Sequence, residues 1–138
     1  MKQLDDKDYD ILAILQKEGR VTNAELAKRV ELSPPSVLQR VRHLERAGYI
    51  KGYAAILDAE KMNLKITVLA LVSLALHEEH SMELFIQQLS AIPEIIECHH
   101  VSGEFDFLLK IVVEDMRSYE ALLRDHILKI KEIGRAHV

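Results

Sequence analysis

The chain has 138 residues, 49% of them hydrophobic, and a formal net charge of −4. That length suits one large domain or two small ones, with enough apolar residues for a core. The longest apolar run, Val68 to Leu76, is broken by Ser73 and falls far short of the roughly 20 residues that span a bilayer, so no membrane partner is expected. The polar N-terminus lacks a signal peptide's apolar stretch, and the single cysteine, Cys98, excludes an internal disulfide, so a cytoplasmic location is expected.

The first periodic segment runs from about Asp6 to Lys17, with Ile11, Leu12 and Leu15 at helical spacing. Asp5 or Asp6 can cap its start, and Gly19 is expected to close it as a C′ glycine. A second helix begins after Thr22 or Asn23, with Leu26, Ala27 and Val30 facing inward. Glu31-Leu32-Ser33 turns the chain. Ser33 then caps a third helix, and Pro34 occupies the first helical position, where its missing N–H leaves nothing unpaired. Val37, Leu38, Val41 and Leu44 form its expected apolar stripe, and Gly48 stops it. Residues 49–57 read as β-like, with a bend at Gly52. The polar stretch 58–63 is a connector, which places a domain boundary near residue 60.

Two helices joined by a short turn, the second firmly capped, match a helix-turn-helix. Such a helix fits the major groove and presents side chains near its N-terminus to base edges. With the apolar stripe inward, Ser36, Gln39, Arg40 and His43 point outward. Gln39 can pair with adenine and Arg40 with guanine. Arg42, Arg46 and Lys51 suit phosphates, and Ser33 lies at the helix start. The charge distribution agrees. Residues 28–51 hold six basic and two acidic side chains, whereas residues 58–138 hold eight basic and fourteen acidic ones. Double-stranded DNA is the expected partner.

The second half has a different grammar. Ile66 to Leu76 reads as a strand, Ser81 to Leu89 as a helix ended by Pro93, and Ile95 to Val101 and Phe107 to Val113 as strands about a turn at Gly103-Glu104. Ser118 can cap a last helix carrying Tyr119, Leu122, Leu123, Ile127 and Ile130. The order β-α-β-β-α is one strand short of the ferredoxin-like βαββαβ unit, and Ile133 to Val138 would begin the missing strand. The fold class expected is therefore α+β, with residues 1–60 a winged-helix-like helix-turn-helix domain (motif about 23–42) and residues 61–138 a ferredoxin-like domain whose last strand is truncated.

Other constellations carry little chemistry. His77-Glu78-Glu79-His80 would need a helix to bring two histidines to one metal ion, and it reads as a connector. His99 and His100 point to opposite faces of a strand. Cys98 has no evident base partner. No phosphate loop, nucleophile elbow or zinc motif is present. No enzyme activity, metal or cofactor is expected.

Several blocks resemble the Lrp/AsnC family of bacterial and archaeal transcription regulators. They are Leu4 to Leu12, Gly19 to Ala27, Leu32-Ser33-Pro34 and Val41 to Tyr53, which agree in order and spacing. The resemblance implies a transcription regulator that answers to a small molecule, usually an amino acid. It also implies a C-terminal domain that senses the effector and dimerises, often assembling further. The family's Gly-x-x-Asp turn stands here as Gly103 to Asp106, so Ser102, Gly103, Glu104 and Asp106 are the expected effector residues. A small-molecule sensor or interaction module without DNA activity is the competing expectation, and the intact helix-turn-helix argues against it. Glu132 to Val138 also looks like the in-frame translation of a DNA-sequencing adapter, so these residues are either an artefact at the end of a fragment or a natural early stop. One sheet edge would then be open.

Overall fold

Asp5 opens the first helix. In the computed structural model, which describes residues 3–75, 79–131 and 133–137, α1 spans Asp6–Lys17. Asp5 Oδ1 accepts the Asp8 N–H at 2.9 Å, and Asp8 Oδ2 accepts the Asp5 N–H at 3.1 Å. This reciprocal box satisfies donors that a helix start leaves free, and both acids lie at the positive end of the helix dipole. α2 (Asn23–Val30) is capped by Thr22, whose Oγ1 accepts the Glu25 N–H. Glu31 then takes a left-handed conformation, φ 56°, and reverses the chain. α3 (Pro34–Arg46) follows at once, capped by Ser33 Oγ on the Ser36 N–H. Pro34 and Pro35 sit in the first turn, where no intrahelical donor is required. Gly48, φ +81°, leads the chain away.

Ile11, Leu26, Ala27, Val30, Val37, Val41 and Leu44 form the core of this first unit, which extends to residue 56. Three expectations differ from it. Leu38 is only half-buried and is not among the residues packed on the core. At roughly 100° per residue it lies a quarter-turn from Val37, on the flank of the helix. Gly19 does occupy the C′ position, after the C-cap Glu18 whose N–H donates to Ile14 O, but it is not left-handed. Residues 49–57 form no strand, because a ladder needs a second strand and no described segment of the chain pairs with them.

The second unit begins at residue 57. Its elements are β1 (Ile66–Leu74), α4 (Glu79–Ser90), β2 (Ile95–His100), β3 (Phe107–Val113), α5 (Met116–Asp125), a 3-10 turn (Ile127–Lys129) and β4 (Ile133–His137). The strands form one antiparallel sheet in the order β2-β3-β1-β4, the ferredoxin-like arrangement. α5 is capped by Asp115, whose Oδ1 accepts the Ser118 N–H, three residues before the cap expected at Ser118. It also ends before Ile127, which enters the core from the 3-10 turn.

Alternate residues of β1 are buried: Val68, Ala70, Val72 and Leu74. They pack with Phe107, Leu109 and Ile111 of β3 and with Phe85, Leu89, Tyr119 and Leu122 of the helices. The Phe85 and Phe107 rings lie 5.0 Å apart at a tilted angle, a favoured aromatic geometry. The opposite face carries Thr67, Leu69, Leu71 and Ser73. Register places Lys110 beside Leu69 and Leu108 beside Leu71. No described helix covers Leu69, which is 56% exposed.

The edge expected to lie open is partly covered. β4 pairs with Leu71 to Leu74 of β1, with a register shift between Ser73 and Leu74. Edge pairing is made by backbone groups and tolerates many side chains, so a short segment suffices. A Cβ at Gly134 would come within 3.2 Å of the Ala75 nitrogen, so the glycine permits close approach there.

Candidate nucleic-acid interface and effector turn

The apolar stripe of α3 turns the opposite side of the helix to solvent. Gln39, Arg42, His43 and Arg46 are exposed there, and Ser36 is half-buried. Pro35, Leu38, Gln39, Arg42, His43 and Arg46 line a groove of about 470 Å³. Pro35 and Leu38 were missing from the residues picked out by sequence. An apolar residue beside a core residue reads as core until the helix is seen in place. Lys51 is exposed just beyond α3, and Ser33 is engaged as the cap.

The six basic residues of the positive window are not equivalent. Arg29 is held by Glu18 at 2.7 Å and Glu25 at 3.2 Å. Among the described residues, no ion pair engages Arg42, Arg46 or Lys51. Arg40, expected to point outward as a free fork, does not. Its Nη1 donates to both Asp5 oxygens, at 2.6 and 2.7 Å, and to Asp8 Oδ1 at 2.9 Å. Hydrogen bonds from Arg40, with those of the cap, hold the Asp5 carboxyl down at about 2. The same bonds to Asp5 and Asp8 raise the Arg40 pKa. Asp8 is 7% exposed, the one buried charged group among the described residues. Between these two acids, Lys7 donates from Nζ to Val30 O at the end of α2. The charged opening of α1 therefore grips both helices of the motif. A carboxylate run before a helix reads as a cap, so its long-range partners were not legible in sequence.

The turn between β2 and β3 is tied to the end of β1. Gly103 has φ +121°, a region that only glycine visits without strain. The Asp106 N–H donates to Val72 O at 2.9 Å, and Asp106 Oδ2 accepts the Leu74 N–H at 2.7 Å. Ser73 Oγ donates to Glu104 O at 3.4 Å. Of the expected effector residues, Ser102, Gly103 and Glu104 are exposed, and Asp106 is half-buried with one carboxylate oxygen engaged by the chain itself. The Leu74 bond falls where β4 shifts register, so Asp106 supplies an acceptor at the irregular point of the ladder. Asp106→Ala is expected to cost about 1–3 kcal/mol of stability by leaving that N–H unpaired. Amide exchange checks it: protection at Leu74 should fall, and unchanged protection would show that the carboxylate is dispensable.

His77 and Glu78 lie outside the described residues, so the 77–80 cluster is not placed. His99 Nε2 lies 2.8 Å from Glu97 Oε2, while the His100 ring packs 5.2 Å from that of Phe107. Cys98 is exposed. Among the described residues no group of three metal-ligating side chains occurs, and no helix is long and apolar enough to cross a membrane.

A capped helix-turn-helix joined to an antiparallel ferredoxin-like sheet defines a two-domain transcription regulator, one domain for DNA and one for a ligand. Known proteins agree with that class. Residues 4–51 match the winged helix-turn-helix DNA-binding family, and residues 67–138 match the Lrp/AsnC ligand binding domain. The chain belongs to the Lrp/AsnC family. It is 44% identical over 133 residues to the leucine-responsive regulatory protein of Escherichia coli K12, covering 96% of this chain and 81% of that one. A transcriptional regulator of Neisseria meningitidis solved as a complex with L-Met superimposes with a TM-score of 0.93 at 36% identity, covering 98% and 87% of the two chains. An AsnC family regulator of Agrobacterium tumefaciens gives a TM-score of 0.89 at 36% identity, covering 97% and 87%.

Proposed function

We propose that the chain acts in the cytoplasm, without catalysis, as an amino-acid-responsive regulator that reads duplex DNA with α3. The exposed stripe along that helix carries the reading. Gln39 and His43, with Ser36 at the flank, face base edges. Arg42, Arg46 and Lys51 face phosphates, and Ser33 holds the helix start. Pro35 and Leu38 add apolar surface suited to a thymine methyl.

Two copies join through the uncovered face of the sheet, around Leu69, Leu71 and Leu108. Symmetry then presents two reading helices to half-sites about one helical turn, roughly 34 Å, or a multiple apart. Higher assembly builds on that dimer. The effector is an amino acid held near Ser102, Gly103, Glu104 and Asp106. Support comes from the glycine-dependent turn, whose backbone amides suit a carboxylate, and from the L-Met complex of the Neisseria regulator.

Selection of duplexes from a randomised library, followed by a salt titration, tests the DNA reading. Tight binding that weakens steeply with salt is expected. Failure to bind any duplex at low salt sinks it and favours a sensor without DNA activity. A thermal-shift screen against the twenty amino acids tests the effector, because a ligand that prefers the folded chain raises its melting temperature. Gly103→Val should abolish the shift given by any hit. A hit that still shifts this variant would place the ligand elsewhere.

A further inference from the structure

Arg40 lies on the motif's reading helix, yet its guanidinium turns back to α1. Three carboxylate oxygens from two residues lie within 2.9 Å of one nitrogen. Asp8 is buried, and its charge needs a partner there. The same two carboxylates cap α1. Lys7, between them, holds the α2 carboxyl end beside the turn of the motif. Asp8, Ser36, Gln39, Arg40 and His43 line one cavity of about 280 Å³, so the clamp directly flanks the exposed stripe. With Nη1 so engaged, the end-on Nη1–Nη2 fork is closed to guanine, and the two carboxylates leave no net positive charge to offer a phosphate. Two carboxylates against one guanidinium leave the flank locally acidic, which is unfavourable beside a phosphate backbone.

We infer that Arg40 is a positioning residue: clamped by Asp5 and Asp8, it sets the pose of α3 for DNA and contacts neither base nor phosphate. This rests on the reading that α3 enters the groove. Arg42, Arg46 and the stripe around Gln39 then carry the contacts, and the clamp determines whether they arrive together.

The test uses the full chain and a duplex that the wild type selects from a randomised library. Asp5→Asn with Asp8→Asn is the main variant. Asparagine is as good an N-cap as aspartate and can still accept the cap bonds, so the helix start survives while the charge pairing is lost. It also removes the buried carboxylate, so Arg40 is no longer needed to balance it. Deleting two acids beside a DNA-binding face should tighten binding if they act only as charges. The clamp predicts the opposite sign: affinity falls on the order of tenfold, about one base contact's worth. Arg40→Ala should fall likewise, with the wild-type base preference and an unchanged dependence of affinity on salt. All measurements are made well below each variant's melting temperature, so loss of folded protein does not enter.

Tighter or unchanged binding by the Asp5→Asn, Asp8→Asn variant overturns the inference. So does an Arg40→Ala variant whose preference relaxes at one base pair, which makes Arg40 a reader. A salt slope that shrinks by roughly 0.9 makes it a phosphate contact instead and also overturns the inference. A wild type that selects no duplex overturns the DNA reading itself, and this inference with it.

Discussion

Replacing Arg42 and Arg46 together by alanine is expected to lower DNA affinity by on the order of 10²–10⁴-fold at low salt, the largest effect of any surface change in the first unit. Both side chains are exposed on the groove side of α3, and no ion pair engages them among the described residues. A hydrogen bond to a charged group contributes roughly 1.5–3 kcal/mol, and two are lost. The cause is separable from a folding defect, because each lost phosphate contact also removes about 0.9 from the slope of log affinity against log salt. A paired loss of affinity and slope, with base preference retained, is the expected result. Affinity loss at constant slope would move these residues from phosphates to bases. Arg29 is the internal control. It belongs to the same positive window but is tied to Glu18 and Glu25, so Arg29→Ala should leave the slope nearly unchanged.

The second large effect is expected in the sheet. Leu69→Asp should convert the protein to monomers and, through the loss of paired half-sites, weaken operator binding. Leu69 stands in the middle of β1 on the face that the helices leave uncovered. In a two-fold dimer one substitution enters the interface twice. An unpaired carboxylate buried there costs several kcal/mol, roughly 3–5 for each copy if no cation reaches it. Lys110 lies directly across from Leu69 but is itself paired with Glu97 at 3.1 Å. The change leaves the monomer's core alone, since Val68 and Ala70 point the other way. Sedimentation velocity reads the outcome. A variant that sediments as the wild type does would show that this face is not where the copies meet.

How much was legible follows from the range of the forces involved. The helices of the first unit could be placed from caps and periodicity, because a cap acts within three residues: Thr22 on Glu25, Ser33 on Ser36. The strands of the second unit could be placed from apolar runs and the turn at Gly103, which are also local. Leu38 was misassigned because type and spacing cannot separate a flank from a core position one residue away. Residues 49–57 were read as β-like because their composition suits a strand, but a strand exists only with a partner.

Arg40 shows the same limit at the site. Sequence placed it on α3 and predicted a guanidinium with a planar fork. Which acceptors engage that guanidinium depends on residues 35 and 32 positions away, brought close only when Ile11, Leu26, Val37 and Leu44 close the core. Asp106 is alike: its residue type and its turn were plain, but the Leu74 N–H it accepts lies 32 residues away. The sequence by itself determined the capped helix-turn-helix and the family, because each is written in neighbouring residues. Only the tertiary structure decided which charge on the second helix of that motif is spent within the chain: Arg40, on Asp5 and Asp8. Ion pairs form between groups that packing brings within a few ångströms, whatever their distance along the chain.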